Sequence, residues 1–474
     1  MAGADPGLYL GLSRGLCRQC GAPVAARYVS DGERVYLERL CPTHGAARAL
    51  VAESLRWYLE ALQAPLAARP PTRCLVPRAG DCPSSCGPCG MHGQRCHLPV
   101  LSITNACDLR CPICFTYNRA DRIYNMSPDE FGRHVDYIVE ATGGVDLLDV
   151  TGGEPTLHPE LFELLRRARR PEIGRVALNT NGLRLAREPE LARRLADEGI
   201  YVVLSLDGLD PAICERVHGR DVSAAKRQAL ENLERFDVQT TLLMVLIGEV
   251  NESELPRLLE LLSGRDFVRS LCIQTMTYTG QGGGTFLPRS HVPVDGVERR
   301  IEEASGGRLR QSDFVPLPTA HPLCYGVAYL LVDGKGGVCS WSRLLGRDSL
   351  AAHLGDGYLL HPSETLEAEL RGAIDRLWSE GGEPELLAAL KELLRELYPA
   401  GRATSVHERQ RLAQRRVKTI YVHAHMDEDT YEVGRAMRCP DQVPVEAKRL
   451  IGACNYNLFY RMRDERFFER GASE

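Results

Sequence analysis

Thr104-Asn105-Ala106-Cys107-Asp108-Leu109-Arg110-Cys111-Pro112-Ile113-Cys114-Phe115 continues an apolar run, Leu98–Thr104, that reads as a β-strand. The three cysteines have the spacing C-x3-C-x2-C and lie on the loop that leaves this strand. Three thiolates this close can converge on one metal centre. A closed zinc site or a complete iron–sulfur cluster wants four protein ligands. Three leave one iron of a [4Fe–4S] cube without a protein ligand, and an open coordination position is what a reactive metal needs. On spacing alone, a zinc knuckle and an ordinary closed cluster remain the alternatives.

Outward from this loop, short apolar runs alternate with amphipathic stretches. Leu98–Thr104, Asp146–Thr151, Arg175–Thr180, Ile200–Asp207, Thr240–Ile247 and Ser270–Thr275 read as six strands. Several are almost continuously apolar, as strands buried on both faces of a parallel sheet are. Pro128–Glu140 follows the N-cap candidate Ser127 and reads as a helix, as do Pro159–Arg169, Glu188–Asp197, Ala224–Phe236 and Glu252–Leu262. This rhythm predicts an α/β fold, a (βα)6 partial TIM barrel, with a doubly wound sheet as the alternative. The loops after the strands carry the unusual residues, where active sites sit on either architecture.

The chain has 474 residues, 17 cysteines and a formal net charge of −5. That length predicts two or three domains. The mixed, slightly acidic charge argues against a nucleic-acid partner. No run of about 18 apolar residues is present, so no spanning helix is expected. With no secretory signal read at Met1–Arg14, a cytoplasmic location follows, where cysteines bind metals or clusters more readily than they form disulfides.

Further residues sharpen the central loop. Thr151-Gly152-Gly153-Glu154-Pro155 ends the second strand, and its glycines allow close backbone approach. Asn179-Thr180-Asn181-Gly182 ends the third, Ser205-Leu206-Asp207-Gly208 the fourth, and Val245-Leu246-Ile247-Gly248 with Asn251 the fifth. Together with C-x3-C-x2-C and Phe115, these resemble the radical S-adenosylmethionine (SAM) superfamily, over roughly Pro99 to Thr275. The resemblance implies that Cys107, Cys111 and Cys114 hold a catalytic [4Fe–4S] cluster whose open iron chelates SAM. It implies that the Gly-Gly-Glu-Pro element holds the amino group of SAM. Asn179, Asn181, Ser205 and Asp207 would lie near its ribose and carboxylate, and Ile247 and Asn251 near its adenine. Reductive cleavage of SAM would release a 5′-deoxyadenosyl radical that abstracts hydrogen from a substrate.

The N-terminal cysteines form two further groups. Cys17-x2-Cys20 and Cys41-Pro42-Thr43-His44 flank a hairpin pattern, Arg27–Leu40, turning at Asp31-Gly32. This reads as a small ribbon that presents four ligands to zinc or to a rubredoxin-like mononuclear iron. Whether His44 is the fourth ligand or caps the knuckle, with Cys74 as a stray thiol, stays open. Cys82-x3-Cys86-x2-Cys89-x6-Cys96 has enough thiols for a closed auxiliary [4Fe–4S] cluster, or a second zinc site. Running directly into the central motif, this group resembles the branch of archaeal tetraether lipid synthase and the class D radical SAM methyltransferases. His321-Pro322-x-Cys324, Arg438-Cys439 and Cys454-Asn455-Tyr456-Asn457 fit the same branch. Cys324, Cys339, Cys439 and Cys454 are candidates for a second auxiliary cluster. A cysteine-bearing stretch expected before Cys439 is replaced by Val422-His423-Ala424-His425-Met426-Asp427, so His423 or His425 could stand in for one ligand. Cys214 and Cys272 read as buried small side chains.

The resulting division is 1–73, the ribbon and a linker helix; 74–97, the auxiliary cluster segment; 98–290, the partial barrel; and 291–474, a C-terminal domain. Two helix patterns there, Leu366–Ser379 and Pro384–Leu397, read as cover for the barrel or as a lipid or partner surface. The expected chemistry is hydrogen abstraction from an unactivated C–H. Carbon–carbon coupling of lipid tails is the leading reading, C-methylation of a small molecule the alternative, and a non-catalytic iron–sulfur or zinc protein the outsider. The resemblance implies a flavodoxin or ferredoxin as electron donor. A lipid substrate would add peripheral membrane contact. Oligomeric state is open.

Overall fold

The computed structural model describes residues 7–71, 82, 86–87, 89–116, 122–286, 291–332, 337–355, 357–381, 384–399, 409, 412–445 and 448–467. Cys74 lies outside them. The chain opens with an antiparallel meander of β1 (Leu8–Leu16), β2 (Pro23–Ser30), β3 (Val35–Cys41) and β4 (Gly45–Ala52). The β2–β3 turn is held by Asp31, whose Oδ1 accepts from the backbone N–H groups of Glu33 and Arg34 at 3.1 and 2.8 Å. Ala26, Tyr28, Val35 and Leu37 alternate onto one face and pack against Tyr58 of the helix Leu55–Gln63.

The six predicted strands are present as β5 (Leu98–Ser102), β6 (Leu148–Thr151), β7 (Val176–Thr180), β8 (Tyr201–Ser205), β9 (Thr240–Leu246) and β10 (Val268–Thr275). Each pairs in parallel with the next. Outward-facing residues such as Leu148, Val150, Leu178, Val202, Leu242 and Met244 are buried in one core under the crossover helices. Inward-facing residues are more polar and include Asp149, Asn179, Ser205, Thr241, Ser270 and Gln274. The first crossover helix, Pro128–Thr142, starts at Ser127, whose Oγ accepts from Glu130 N–H at 3.2 Å, and stops at Gly143 in the left-handed region.

The C-terminal part contributes more to the barrel than the sequence predicts. It forms β11 (Val315–Pro316), β12 (Tyr325–Val332), β13 (Val338–Ser340), β14 (Val417–His423), β15 (Asp441–Val445) and β16 (Arg449–Gly452). β14 adds in parallel to β10, and β15 in parallel to β5. Eight parallel strands therefore run β14-β10-β9-β8-β7-β6-β5-β15, flanked by antiparallel β12 and β16. The helices Glu364–Glu380 and Pro384–Leu397 bury Leu366, Leu370, Leu390 and Leu393 against Val327, Tyr329 and Leu331 of β12. Their apolar stripe thus covers the sheet. Among the described residues, no helix is long and apolar enough to cross a membrane.

Candidate active site

The inward faces of the parallel strands enclose a cavity of about 360 Å³, and its rim is built by the loops at their C-terminal ends. The loop after β5 brings Cys107, Cys111, Cys114 and Phe115 to this rim. The Leu109 N–H points at Cys107 Sγ at 3.5 Å, His218 Nδ1 lies 3.5 Å from Cys111 Sγ, and Thr116 Oγ1 lies 3.0 Å from Cys114 Sγ. Burial pushes the Cys107 thiol up to about 12 and raises Cys111 further, with neighbouring acidic groups and thiols acting the same way. Metal ligation reverses that preference, because a coordinating thiol is deprotonated outright. Among the described residues, the group whose ligand atoms crowd within 4.8 Å of one another is the ribbon's, not this one. Three thiols on one loop are a soft donor set that fits an iron–sulfur cluster. Cys107, Cys111 and Cys114 are the residues that would hold such a cluster, which would supply an electron at this rim.

Gly152 and Gly153 line the cavity, but their missing side chains serve the protein first. A Cβ at Gly152 would collide with Thr104 O, and one at Gly153 with Ala106 O. The glycines therefore seat the β6 loop on the strand end that leads into Cys107, and Gly153 N–H and Glu154 N–H bond Thr104 O and Ala106 O at 2.7 and 2.6 Å. Glu154 is held by the neighbouring loop. Its side chain is 1% exposed. Oε1 accepts from Thr156 N–H, Thr156 Oγ1 and Thr180 Oγ1, and Oε2 accepts from Asn181 N–H at 2.7 Å. It ties the β6 and β7 loops together, and neither it nor Pro155 lines the cavity.

Asn179, Asn181, Ser205 and Asp207 do line it. Asn181 Nδ2 donates to Asp108 Oδ1 at 2.7 Å, linking the β7 loop to the cysteine loop. Asp207 accepts from Val245 N–H at 2.7 Å, and burial lifts its carboxyl to about 6 against that bond and the charge of Lys226. Ile247 and Asn251 lie behind the wall. Asn251 is fully buried and bonds Ile247 N–H, Asp207 O and Val245 O, so it braces the β8 and β9 ends. Ile247 packs with Val217, Met276 and Tyr278.

Sequence reading missed His218, Lys226, Asp149, Tyr325, Tyr421 and Arg461. Lys226 is buried and donates to Asn181 O and Ser205 O at 2.7 and 2.6 Å. Burial, with Lys226 nearby, lowers His218 to about 3. Arg461 stands 5.6 Å from the Phe115 ring and His425 6.3 Å from it. Of these, only Lys226 had a local signal, as a lone lysine on an amphipathic helix face. The Gly280–Gly284 segment is packed: Gln281 and Gly282 N–H bond Cys114 O at 3.0 and 3.2 Å.

The other cysteine groups divide differently from their spacing. Cys17, Cys20, Cys41 and His44 converge, with His44 Nδ1 at 3.4 and 3.5 Å from Cys17 and Cys41 Sγ. That donor set fits one tetrahedral ion with histidine as fourth ligand. Backbone N–H groups of His44 and Thr43 help hold the Cys41 thiol at about 6. Cys82, Cys86 and Cys89 influence one another and sit by Asn455, whose Nδ2 is 3.2 Å from Cys86 Sγ. Cys96 is not with them. It packs in the barrel core, with Asp441 as its charged neighbour. Cys324, Cys439 and Cys454 form a third group around buried Arg435, which donates to Cys324 Sγ at 3.4 Å. His425 Nδ1 lies 3.7 Å from Cys454 Sγ, whereas His423 instead faces Asp441 at 3.3 Å. Cys339 is a correction: it pairs with Leu331 toward the far end of β12, while Cys324 precedes the near end. Cys214 is buried as expected, but Cys272 faces the cavity.

Residues 101–262 match the family model described as the Radical SAM superfamily, and residues 9–53 match the HMPTM N-terminal zinc ribbon domain. A 7,8-dihydro-6-hydroxymethylpterin dimethyltransferase of Methanocaldococcus jannaschii is 23% identical over 481 residues, covering 96% of this chain and 94% of that one. A probable GTP 3′,8-cyclase of Pyrococcus abyssi is 31% identical over 156 residues, covering 33% of this chain and 49% of that one. Among solved structures, Streptococcus suis SuiB bound to its precursor peptide SuiA aligns with a TM-score of 0.37 at 19% identity, covering 45% of this chain and 46% of that one.

Proposed function

We propose that this chain, a radical SAM superfamily enzyme through its residues 101–262, transfers methyl groups to carbon on a reduced pterin-type heterocycle. The carrying observation is the end-to-end likeness to the pterin dimethyltransferase, which includes the N-terminal ribbon as well as the barrel. The relative aligned over a third of the chain is named for GTP, whose guanine shares the 2-amino-4-oxopyrimidine ring of a pterin. Coupling of lipid tails gains no comparable support. A cavity of about 360 Å³, whose largely apolar wall carries Asp149, Asn179, Arg175, Gln274 and Asp441, suits a compact ring with a polar edge.

The chain's residues have separable tasks in this reading. Cys107, Cys111 and Cys114 hold the cluster. Gly152, Gly153, Asn179, Asn181, Ser205 and Asp207 border the place for SAM. The strands below them hold the substrate carbon and exclude water. Cys82, Cys86 and Cys89, and the group around Arg435, are the candidate auxiliary sites.

The test is an anaerobic reaction of the reconstituted enzyme with SAM, dithionite and 7,8-dihydro-6-hydroxymethylpterin, followed by mass spectrometry. The expected result is 5′-deoxyadenosine together with a pterin bearing one or two added methyl groups. Deoxyadenosine with an unchanged pterin, and a coupled product from a lipid extract, would overturn the reading. Methyl-labelled SAM then identifies the source of the methyl group.

A further inference from the structure

Beneath the rim, one acidic side chain in the chamber has no task in holding cluster or SAM. Asp149 is the inward residue of β6 two positions before Thr151, so its Cα lies about 7 Å below the rim along the strand. Its Oδ1 is buried and has no hydrogen-bond partner. The side-chain amide of Asn179 lies close enough to favour its charged form. Asp441, at the start of β15, faces the same cavity and acts on Asp149 as a like charge. Asp441 Oδ2 accepts from Tyr325 Oη at 2.5 Å, while its Oδ1 is also buried without a partner.

A buried carboxylate oxygen without a donor costs free energy, and two facing one cavity cost more. Aliphatic chains would leave both oxygens unsatisfied. A flat ring bearing adjacent N–H donors would give one to each oxygen of a single carboxylate. The 2-amino-4-oxopyrimidine edge offers such a pair, the 2-amino group and N3–H, at the spacing of the two carboxylate oxygens.

We infer that Asp149 recognises the substrate ring by accepting the 2-amino and N3–H groups of a 2-amino-4-oxopyrimidine, with Asp441 as a second acceptor deeper in the chamber. This rests on the pterin reading above and adds the residue that selects the ring. Burial pushes the Asp149 carboxyl up to about 7, and two donated N–H groups would restore its charged form.

The test measures equilibrium binding to the full-length, anaerobically reconstituted enzyme. The probes are 7,8-dihydro-6-hydroxymethylpterin and its counterpart with a 2-oxo group in place of the 2-amino group. Wild type should prefer the 2-amino ring by about 10–100-fold. Asp149→Ala should lose a similar factor on that ring and little on the 2-oxo ring. Asp149→Asn should shift preference toward the 2-oxo ring, because an amide both donates and accepts. If Asp149→Ala does not fold, the wild-type preference and the Asn shift still decide. Equal binding of both rings by wild type, or an Asn variant that binds the 2-amino ring as wild type does, overturns the role of Asp149 and leaves pterin methylation standing. No binding of either ring by wild type overturns both.

Discussion

At the scale of single residues, Glu154 shows how a motif can be legible while its task is not. A carboxylate after two glycines reads the same whether it meets a ligand or the next loop. Its partners Thr180 and Asn181 come from β7 and its following loop, which no local pattern announces. Glu154→Ala would leave several buried donors unsatisfied at once, so we expect a loss of about 3–5 kcal/mol in denaturant unfolding of the anaerobic protein. Glu154→Gln should lose less, because one acceptor oxygen remains. Asp149 carries a pH signature. Its folded carboxyl is raised to about 7 from 3.8, so the folded state binds more protons than the unfolded state between those values. Stability falls with rising pH across that window. Asp149→Asn should therefore gain on wild type as pH climbs from about 4 to 7, reaching about 2–4 kcal/mol and levelling off above, and the gain should vanish below about pH 4. Unfolding curves for both proteins at several pH values check it. The three-cysteine motif was plain in the sequence because its spacing is local. Asp149 was not, because only β-strand alternation within the assembled parallel sheet shows which way it faces.

At the scale of elements, the alternation of strands and helices from 98 to 275 was readable because several of the strands are almost continuously apolar and alternate with amphipathic stretches. β14 and β15 were not, although they complete the parallel set. β15 is five residues with a proline at Pro444, and both strands follow long C-terminal stretches with no βα rhythm. Their place is set by partners, Leu98 for Asp441 and Ser270 for Thr419, that lie far away in sequence. The join between β5 and β6 makes a sharper prediction. A methyl group at Gly153 must push Ala106 away, and Ala106 immediately precedes Cys107. Gly153→Ala should lose iron and sulfide from the catalytic site after reconstitution, while metal at the ribbon remains. Full iron loading in that variant would show that the loop yields without cost to the cluster.

At the scale of the whole molecule, the ribbon is joined to the catalytic rim by a short series of contacts. Buried Arg39 on β3 donates to Leu16 O, Glu428 O and Asp429 Oδ1 at 3.2, 2.8 and 2.8 Å. Glu428 in turn accepts from Thr279 Oγ1 at 3.0 Å, two residues before Gln281, whose N–H bonds Cys114 O. Removing the ribbon metal, or making Arg39→Ala, should raise hydrogen exchange at 276–284 and around Asp427–Thr430, with Arg39→Ala costing about 2–4 kcal/mol. Exchange confined to the ribbon would separate the two sites. The eight-stranded chamber has a consequence in time as well. A ribosome releases Cys107, Cys111 and Cys114 and the open edge of β5 long before it makes β15, the strand that closes that edge. Until then the edge is an exposed template for pairing with other chains. Loading of iron and sulfide has its widest access in that same interval. A chain stopped after Thr275 should take up iron readily yet associate through its unpaired edges, and supplying the remaining segment in trans should restore monodispersity.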